Sequence, residues 1–202
     1  MSILNQSLAD DLAAGRPVKL NLGSGGTTKP GFYGVDHLAL PGVDVRADLN
    51  RPLDWLPDGS VDEVYSRHVF EHIPDILGLM RELHRCVRTD SRLTIIVPHF
   101  SNPYFYSDVT HAHPFGLYSF FYFCDPANQP KRKVPSFYVD FRFRVERIEI
   151  RFYKRSLLDK LVVPWLAKLV NSSVRSQDWY ERRLCRLWHA SELEFVLRPV
   201  KT

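Results

Sequence analysis

Apolar and polar residues follow two different periods along this chain, and the two periods predict strands and helices in alternation. Short runs of apolar and β-branched residues, bounded by Gly, Pro, Asp and Ser, are typical of strands. Seven such strands are predicted, over residues 18–22, 32–36, 43–49, 61–66, 92–97, 145–154 and 192–200. The run at 92–97 is almost wholly apolar, as expected of a central parallel strand buried on both faces.

Helical periodicity appears between several of these runs. Leucines at four-residue spacing predict a short amphipathic helix over residues 3–14. A better-defined helix begins at Pro74 and Asp75, which suit a first helical turn, and residues 89–91 are expected to end it. A helical insertion is predicted at about 156–190, where an apolar stripe recurs at helical spacing.

Strands that alternate with helices over short connections favour an open α/β sheet. No repeat or linker divides the 202 residues, so we expect a single domain over 1–202. In such sheets ligands bind beyond the carboxyl ends of the strands. The residues that follow each strand are therefore the ones that carry information about function.

Composition narrows the class of protein. Hydrophobic residues make up 45% of the chain and charged residues 25%, which is ordinary for a globular protein. No run approaches the roughly 18–20 apolar residues of a membrane span, and the N-terminus does not resemble an export signal. The three cysteines, Cys86, Cys124 and Cys185, are widely spaced and suit buried thiols in a reducing compartment. A cytoplasmic location is expected.

Charge is distributed unevenly along the chain. Residues 1–130 carry 10 Lys/Arg against 15 Asp/Glu, whereas residues 131–190 carry 15 against 6. A basic surface favours anionic partners such as a phosphate-bearing acceptor, a membrane or a nucleic acid. An ordinary solvated surface is the alternative interpretation.

A glycine-rich turn follows the first predicted strand. Gly23, Ser24 and Gly25 permit positive φ angles and let a ligand approach the backbone closely. The turn is not a phosphate-binding P-loop, because no Gly-Lys-Ser/Thr follows it. It also departs from a dinucleotide fingerprint, because Thr28 stands where the third glycine belongs.

Acidic residues end the next two predicted strands. Asp36 could accept hydrogen bonds from both hydroxyls of a ribose. Asp48 could accept one from an adenine amine, while Leu49 covers the ring. Aspartates at strand ends also commonly cap turns, so the order of these features on successive strands is the informative signal.

Together these segments resemble the small class I S-adenosylmethionine-dependent methyltransferases, closest to the type 11-like group, several members of which occur in bacterial surface-polysaccharide gene clusters. The similarity covers residues 17–123 well and the remainder loosely. It is carried by Leu20-Asn21-Leu22-Gly23-Ser24-Gly25, Gly31-Phe32-Tyr33-Gly34-Val35-Asp36, Ala47-Asp48-Leu49 and Val69-Phe70-Glu71-His72-Ile73. The resemblance implies a Rossmann-like, mostly parallel seven-stranded sheet with a late antiparallel strand pair.

It also implies S-adenosylmethionine as cofactor. By position in the motifs, the glycine turn would hold the methionine part, and the two strand-end acids would hold the ribose and the adenine. Arg67 and His68 would line the cofactor's other side. The cofactor-binding residues expected are therefore Asn21, Gly23, Ser24, Gly25, Asp36, Asp48, Leu49, Arg67 and His68.

Two features depart from the family pattern. Asn21 stands at a position that is usually acidic, so it offers hydrogen bonds without a full charge. Residues 27–31 leave room for a turn between the first two strands, where the family usually has a helix. Both departures leave room for a non-catalytic scaffold or regulatory subunit.

The segment after the fifth strand is unusually aromatic, since residues 100–143 contain 14 of the 26 aromatic residues. In this fold it would face the transferable methyl group and the acceptor. Within it, Asp108 and His111 form an Asp-x-Thr-His segment similar to one in some relatives. His111 is the candidate base, Asp108 would orient its ring, and His113 is the reserve candidate. Many of the rings are equally expected to form core.

No metal site is expected, because His111-x-His113 is not accompanied by a Cys pair or an HExxH motif. The favoured reaction is O-methylation of a saccharide or saccharide-linked acceptor, with N-methylation of a small amine as the alternative. No nucleic-acid-binding module is recognisable. The stripe within 156–190 indicates core or homodimer packing, or else a peripheral membrane contact.

Overall fold

The computed structural model describes residues 1–201, and its centre is one eight-stranded sheet. The strands are β1 Ser2–Ile3, β2 Val18–Leu22, β3 Tyr33–Asp36, β4 Val45–Arg46, β5 Val61–Arg67, β6 Val87–Pro98, β7 Arg142–Phe152 and β8 Ala190–Val200. Their order across the sheet is β1-β4-β3-β2-β5-β6-β8-β7. Strands β2 to β6 pair in parallel, whereas β8 runs antiparallel to both β6 and β7. The predicted fold class is confirmed, and the eighth strand is the short β1, paired antiparallel to β4.

Four helices accompany the sheet: α1 Gln6–Ala13, α2 Ile76–Cys86, α3 Leu157–Val170 and α4 Val174–Arg183. Asp75 caps α2 by accepting a hydrogen bond from the Gly78 amide at 2.8 Å, and Leu79, Met80 and Leu83 are buried on its inner face. No helix separates β2 from β3, as the short connection predicts.

The region between α2 and β6 differs from the prediction. Residues 89–91 were expected to end the helix, but they belong to β6, which begins directly at Val87. The pairing of β5 with β6 shifts register there, because the Ser91 hydroxyl accepts from the Arg88 amide and donates to the Val61 carbonyl. The polar residues 89–91, which the sequence analysis expected to end the helix, are therefore accommodated in a β-bulge.

The strand predicted over 43–49 is also shorter than expected. Only the two residues of β4 pair with neighbouring strands, because the chain turns just before them at Gly42, which has a φ of 87°. After it, the Asp48 carboxylate accepts from the Asn50 amide at 2.9 Å and starts another turn. The chain therefore leaves the sheet where Asp48 and Leu49 reach its edge.

Helices α3 and α4 lie between β7 and β8 in the chain. Ser156 and Asp159 form a reciprocal capping box at the start of α3, and Pro164 lies inside that helix. The side chain of Asn171, just past its end, bonds both the amide and the carbonyl of Ile150 in the edge strand β7. Among residues 1–201, no helix is long and apolar enough to cross a bilayer.

Candidate cofactor and acceptor site

An open cleft of about 650 Å³ lies at the carboxyl edge of the parallel strands. Five of the predicted cofactor residues line it: Gly23, Asp36, Asp48, Leu49 and His68. The same cleft is lined by His37, Ala47, Asn50, Val69, His72, Ile73 and Thr110. Its volume is typical of small-molecule sites, which enclose about 300–1,000 Å³.

The glycine turn after β2 forms one wall. Gly23 has a φ of 64°, and a Cβ there would lie 2.1 Å from Cγ2 of Val69. Only glycine fits this position, since a side chain would clash with Val69 and would need a left-handed backbone. Ser24 and Asn21, also predicted to bind the cofactor, do not line the cleft and make contacts within the protein. Ser24 is buried beside Gly34, and the Asn21 side chain donates to the Thr27 carbonyl at 3.3 Å.

Asp36 ends β3 with a buried carboxylate that backbone groups hold in place. Its Oδ2 accepts from the Gly25 amide at 2.9 Å, and its Oδ1 accepts from the Leu38 amide at 3.0 Å. Nδ1 of His37 also lies 3.1 Å from Oδ1. A carboxylate offers about four lone-pair positions, so these contacts still leave acceptor capacity for a further donor in the cleft. Gly25 therefore positions Asp36 and does not itself line the cleft.

Asp48 and Leu49 lie across the cleft after β4. Hydrogen bonds from the backbone and side chain of Asn50 lower the pKa of Asp48, so its carboxylate remains an acceptor at neutral pH. Leu49 is nearly buried and contributes an apolar surface. A polar acceptor beside an apolar face suits a heteroaromatic ring with an exocyclic amine.

His68 occupies a conformation that is uncommon for a residue with a side chain. Its φ is 57°, and its ring lies between two carboxylates, with Nε2 2.7 Å from Glu192 and Nδ1 3.2 Å from Glu71. The hydrogen bond to Glu192, followed by the one to Glu71, raises the pKa of His68 to about 9. The hydrogen bond from His68 lowers the pKa of Glu192 to about 2. The cleft wall thus carries an imidazolium ring at neutral pH.

Arg67 does not line the cleft, although the resemblance placed it there. Its guanidinium donates to Oε1 of Glu192 at 2.7 Å, the same oxygen that His68 contacts. Arg67 therefore helps to hold Glu192, which in turn holds His68. Glu192 comes from β8, and nothing in the sequence near it indicates a site.

The candidate base His111 lies in the loop after β6, beside His72 and Thr110, which line the cleft, but does not line it itself. Its Nδ1 bonds the Phe105 carbonyl at 2.8 Å, and its ring stacks on Phe105 with centroids 4.7 Å apart. Asp108 was expected to orient the ring, but the Phe105 carbonyl does so. Asp108 instead approaches the opposite nitrogen, Nε2, at 3.7 Å.

Asp108 also orders the loop locally. Its Oδ1 accepts from the hydroxyl of Thr110 at 2.6 Å and from the Thr110 amide at 2.9 Å. The Thr110 oxygen in turn lies 2.9 Å from Nδ1 of His72. The rings of His72 and His111 are consequently 4.8 Å apart at the mouth of the cleft.

His113, the reserve candidate, lies elsewhere. Its Nε2 bonds the Pro74 carbonyl at 2.9 Å, and it faces a separate apolar hollow lined by Phe115, Phe120 and Tyr138. The structure thus brings His111 together with His72 and separates both from His113. The sequence analysis offered His113 as the reserve base because it lies two residues from His111, but residues two apart in a loop need not share a site.

The residues that line the cleft fit S-adenosylmethionine by their own geometry and chemistry. A side chain at Gly23 would fill the cradle, Asp36 keeps acceptor positions open, and an acid and an apolar residue face them from β4. These groups match an aminoacyl tail, a ribose and an adenine in turn.

Comparisons with known proteins give a matching family model and similar solved folds. Residues 35–95 match the family model described as "Methyltransferase domain". No curated protein matches the chain in sequence.

Similar solved structures include YcgJ from Bacillus subtilis, at 14% identity and TM-score 0.51, covering 98% of this chain and 99% of that one. A SAM-dependent methyltransferase from Archaeoglobus fulgidus has 18% identity and TM-score 0.50, covering 95% and 90%. One chain of the Haloferax volcanii complex between the Trm112 methyltransferase activator and a methyltransferase has 12% identity and TM-score 0.55, covering 92% and 83%. At these identities the structures establish the fold.

The matched segment and the fold support one class of protein. That class is the methyltransferases that use S-adenosylmethionine as their cofactor. The segment 35–95 includes Asp36, Asp48 and His68, which are three of the residues that line the cleft.

Proposed function

We propose that this protein transfers a methyl group from S-adenosylmethionine to a hydroxyl oxygen of a saccharide or saccharide-linked acceptor. The observation that carries the proposal is a pair of imidazoles with ring centroids 4.8 Å apart: His72, which lines the cofactor cleft, and His111 beside it. A hydroxyl must lose its proton to become a good nucleophile, and a positioned base contributes roughly 10²–10⁴-fold to such a reaction.

Asp36 would hold the ribose and Asp48 with Leu49 the adenine, while the turn at Gly23 would admit the methionine part. When bound, the cofactor supplies an electrophilic methyl carbon: the acceptor oxygen bonds to that carbon while the carbon–sulfur bond breaks and its electrons stay on sulfur. In-line alignment of the two reactants can supply about 7–11 kcal/mol. The cleft's main task is therefore positioning.

His111 is better placed than His113 to receive the acceptor's proton. The Phe105 carbonyl accepts from Nδ1, so the lone pair of the neutral ring is on Nε2. Asp108, 3.7 Å from that nitrogen, would stabilise the imidazolium that forms. Asp108 also has its pKa lowered by Thr110, so it is charged at neutral pH.

A saccharide is favoured by the aromatic side chains that the acceptor loop exposes. Tyr104 and Tyr106, which precede His111 in the same loop, are 53% and 71% exposed. Exposed aromatic rings with polar edges stack on the apolar faces of sugars and bond their hydroxyls. The buried rings of residues 115–123 form core instead.

Calorimetry with S-adenosylmethionine tests the cofactor assignment. We expect Asp36→Asn to weaken binding about 10–100-fold, since hydrogen bonds to a charged group contribute roughly 1.5–3 kcal/mol. Asp90→Asn, which changes an exposed carboxylate at the opposite end of β6, is the control and should bind like the wild type. Equal affinity in both variants would refute the assignment.

A methyl-transfer screen on hydroxylated and amine acceptors then tests the reaction. Loss of turnover in His111→Ala, restored in part at high pH, supports O-methylation. Undiminished turnover across pH favours N-methylation of a small amine. Cofactor binding with no product from any acceptor favours a non-catalytic scaffold.

We further propose that α3 contacts an anionic membrane surface that presents the acceptor. Its outer face exposes Leu157, Leu158, Leu161, Trp165 and Leu169, each at least 60% accessible. Basic side chains flank this α3 apolar face, as in helices that lie in the lipid interface. They are Lys154, Arg155, Lys160 and Lys168.

The start of α3 is connected to the acceptor loop. Arg155 donates to the hydroxyl of Tyr104 at 2.5 Å and stacks on the rings of Tyr104 and Tyr153. A lipid-linked acceptor bound at this surface would therefore lie beside the loop that carries His111. The competing occupant of the α3 apolar face is a second copy of this chain.

A further inference from the structure

Three side chains with metal-binding atoms converge beside the cofactor cleft. Glu71 and His72 belong to a short 3-10 turn, Phe70–His72, that follows β5, and His111 comes from the loop after β6. One ligand atom from each lies within 4.8 Å of the other two. Two imidazole nitrogens and one carboxylate oxygen form a donor set typical of divalent transition metals.

Glu71 is a buried acid with an unused oxygen. Its side chain is only 1% accessible, and although Oε1 contacts His68, Oε2 has no hydrogen-bond partner among residues 1–201. A buried polar oxygen without a hydrogen-bond partner is costly, because it has lost its contact with water without a replacement. A cation beside Oε2 would remove that cost.

The two histidines are held with the same nitrogen available. The Phe105 carbonyl fixes Nδ1 of His111 as a donor, which leaves the lone pair on Nε2. The Thr110 hydroxyl donates to Asp108, so its oxygen accepts from Nδ1 of His72, and this again leaves the lone pair on Nε2. Metal-binding histidines usually carry such partners on the other ring nitrogen.

We propose that Glu71, His72 and His111 bind a divalent transition cation of the Zn²⁺ or Co²⁺ kind at the acceptor end of the cleft. Two ligands at about 2.0–2.1 Å from one ion are at most about 4.2 Å apart, so small side-chain rotations complete the site. Mg²⁺ is disfavoured because it prefers oxygen ligands. Asp108 adds negative charge nearby.

This inference deepens the proposed function and rests on it for its catalytic meaning. Three protein ligands leave at least one coordination position, and His72 and Thr110 both line the cofactor cleft. An acceptor hydroxyl bound there would have its pKa lowered and would lose its proton to water. In the metal-bound protein His111 would therefore act as a ligand of the cation in place of its role as base, and a polyhydroxylated acceptor would gain a second anchoring point.

No metal site is expected from the sequence, because His111-x-His113 is not accompanied by a Cys pair or an HExxH motif. The tertiary structure replaces His113 with His72 and adds Glu71. The site depends on two loops meeting at the sheet edge, which spacing within either loop does not reveal.

The test uses the full chain with any affinity tag removed and metals stripped by a chelator. Titration with Co²⁺, followed by visible absorption, and with Zn²⁺, followed by calorimetry, should show one site per chain. Glu71→Gln, His72→Ala and His111→Ala should each abolish it. Thr110→Val should weaken it about 10–100-fold through the loss of His72's partner. His113→Ala, in the same loop, should bind like the wild type.

Failure of the wild type to bind one equivalent of Co²⁺ or Zn²⁺ would overturn the proposal, as would unchanged affinity in His111→Ala. If Glu71→Gln fails to fold by circular dichroism, His72→Ala and His111→Ala still decide, since both residues are partly exposed. The titrations contain neither cofactor nor acceptor. If S-adenosylmethionine binds but the metal does not, only the metal site is refuted. If the metal binds but S-adenosylmethionine does not, only the proposed function is refuted.

Discussion

Gly23 shows how much a single missing side chain contributes to the cleft. Replacing it by Ala should cost the left-handed backbone penalty of about 1–2 kcal/mol, plus the displacement of Val69, whose Cγ2 lies 2.1 Å from the added carbon. Gly15→Ala is a matched control, because Gly15 also has a φ of 64° but has no atom within 4 Å. Urea unfolding should rank Gly23→Ala well below Gly15→Ala.

The variants Gly23→Ala and Gly15→Ala also distinguish the effect of backbone strain from the effect of filling the cofactor cradle. Cofactor affinity should fall in Gly23→Ala and stay unchanged in Gly15→Ala, because only Gly23 borders the cleft. Equal stability and equal affinity in the two variants would mean that Val69 moves aside freely and that the cradle is not built on Gly23.

His68 and Glu192 predict a pH dependence at the residue scale. Glu192 has a pKa near 2 in the fold, so its stabilising contribution is present above its ordinary pKa and is lost as the pH falls toward 2. His68 has a pKa near 9, so its contribution is complete below its ordinary pKa and is lost as the pH rises through 9. The pair should therefore stabilise the fold most around pH 4.5–6.5.

In metal-free protein, NMR titration of His68 should give a midpoint near pH 9. Glu192→Gln should move that midpoint downward. Of the two carboxylates that bond His68, Glu192 raises its pKa more than Glu71 does. A midpoint near 6.5 in the wild type would show that the ring does not lie between these carboxylates in solution.

At the scale of elements, α3 and α4 protect an edge strand. Strand β7 ends the sheet, and Asn171 bonds both backbone groups of Ile150, while Gln177 donates to the Ile148 carbonyl. Unpaired edge groups invite association with other strands, so this cover has a structural purpose.

Asn171→Ala should destabilise the fold by about 1–3 kcal/mol, since it leaves the groups of Ile150 without partners. Ser172→Ala, the exposed neighbour, should change stability by no more than about 0.5 kcal/mol. Chemical unfolding measures both, and hydrogen exchange at Ile150 should accelerate in the first variant only. Equal destabilisation by Asn171→Ala and Ser172→Ala would show that the Asn171 side chain does not anchor the end of α3 to β7.

At the scale of the whole molecule, the α3 apolar face and the basic second part of the chain favour an anionic lipid surface. Vesicles with phosphatidylserine should co-sediment the protein at low salt and release it at high salt, because screening weakens the electrostatic part. Leu161→Glu with Trp165→Glu should abolish binding. Leu77→Glu, on the exposed side of α2, should not.

Light scattering decides between the two occupants of this face. A wild-type dimer that becomes a monomer in the Leu161→Glu, Trp165→Glu variant, with no lipid binding in either, would replace the membrane surface by a second copy of the chain.

The sequence by itself determined the order of strands and helices, because apolar periodicity reports burial directly. It also indicated the residues at the strand ends, since parallel strands bring their carboxyl ends to one edge. Gly23, Asp36, Asp48, Leu49 and His68 follow from this local rule. The short β4 and the bulge at residues 88–91 did not, since turn hydrogen bonds made by side chains override periodicity.

Only the tertiary structure decided which residues from distant segments meet. Glu192 holds His68 from a strand 124 residues away along the chain, and His111 lies beside His72 and not beside His113. The physical reason is that hydrogen bonds and ion pairs act over a few ångströms in space, while sequence periodicity reports only which side of an element faces the core.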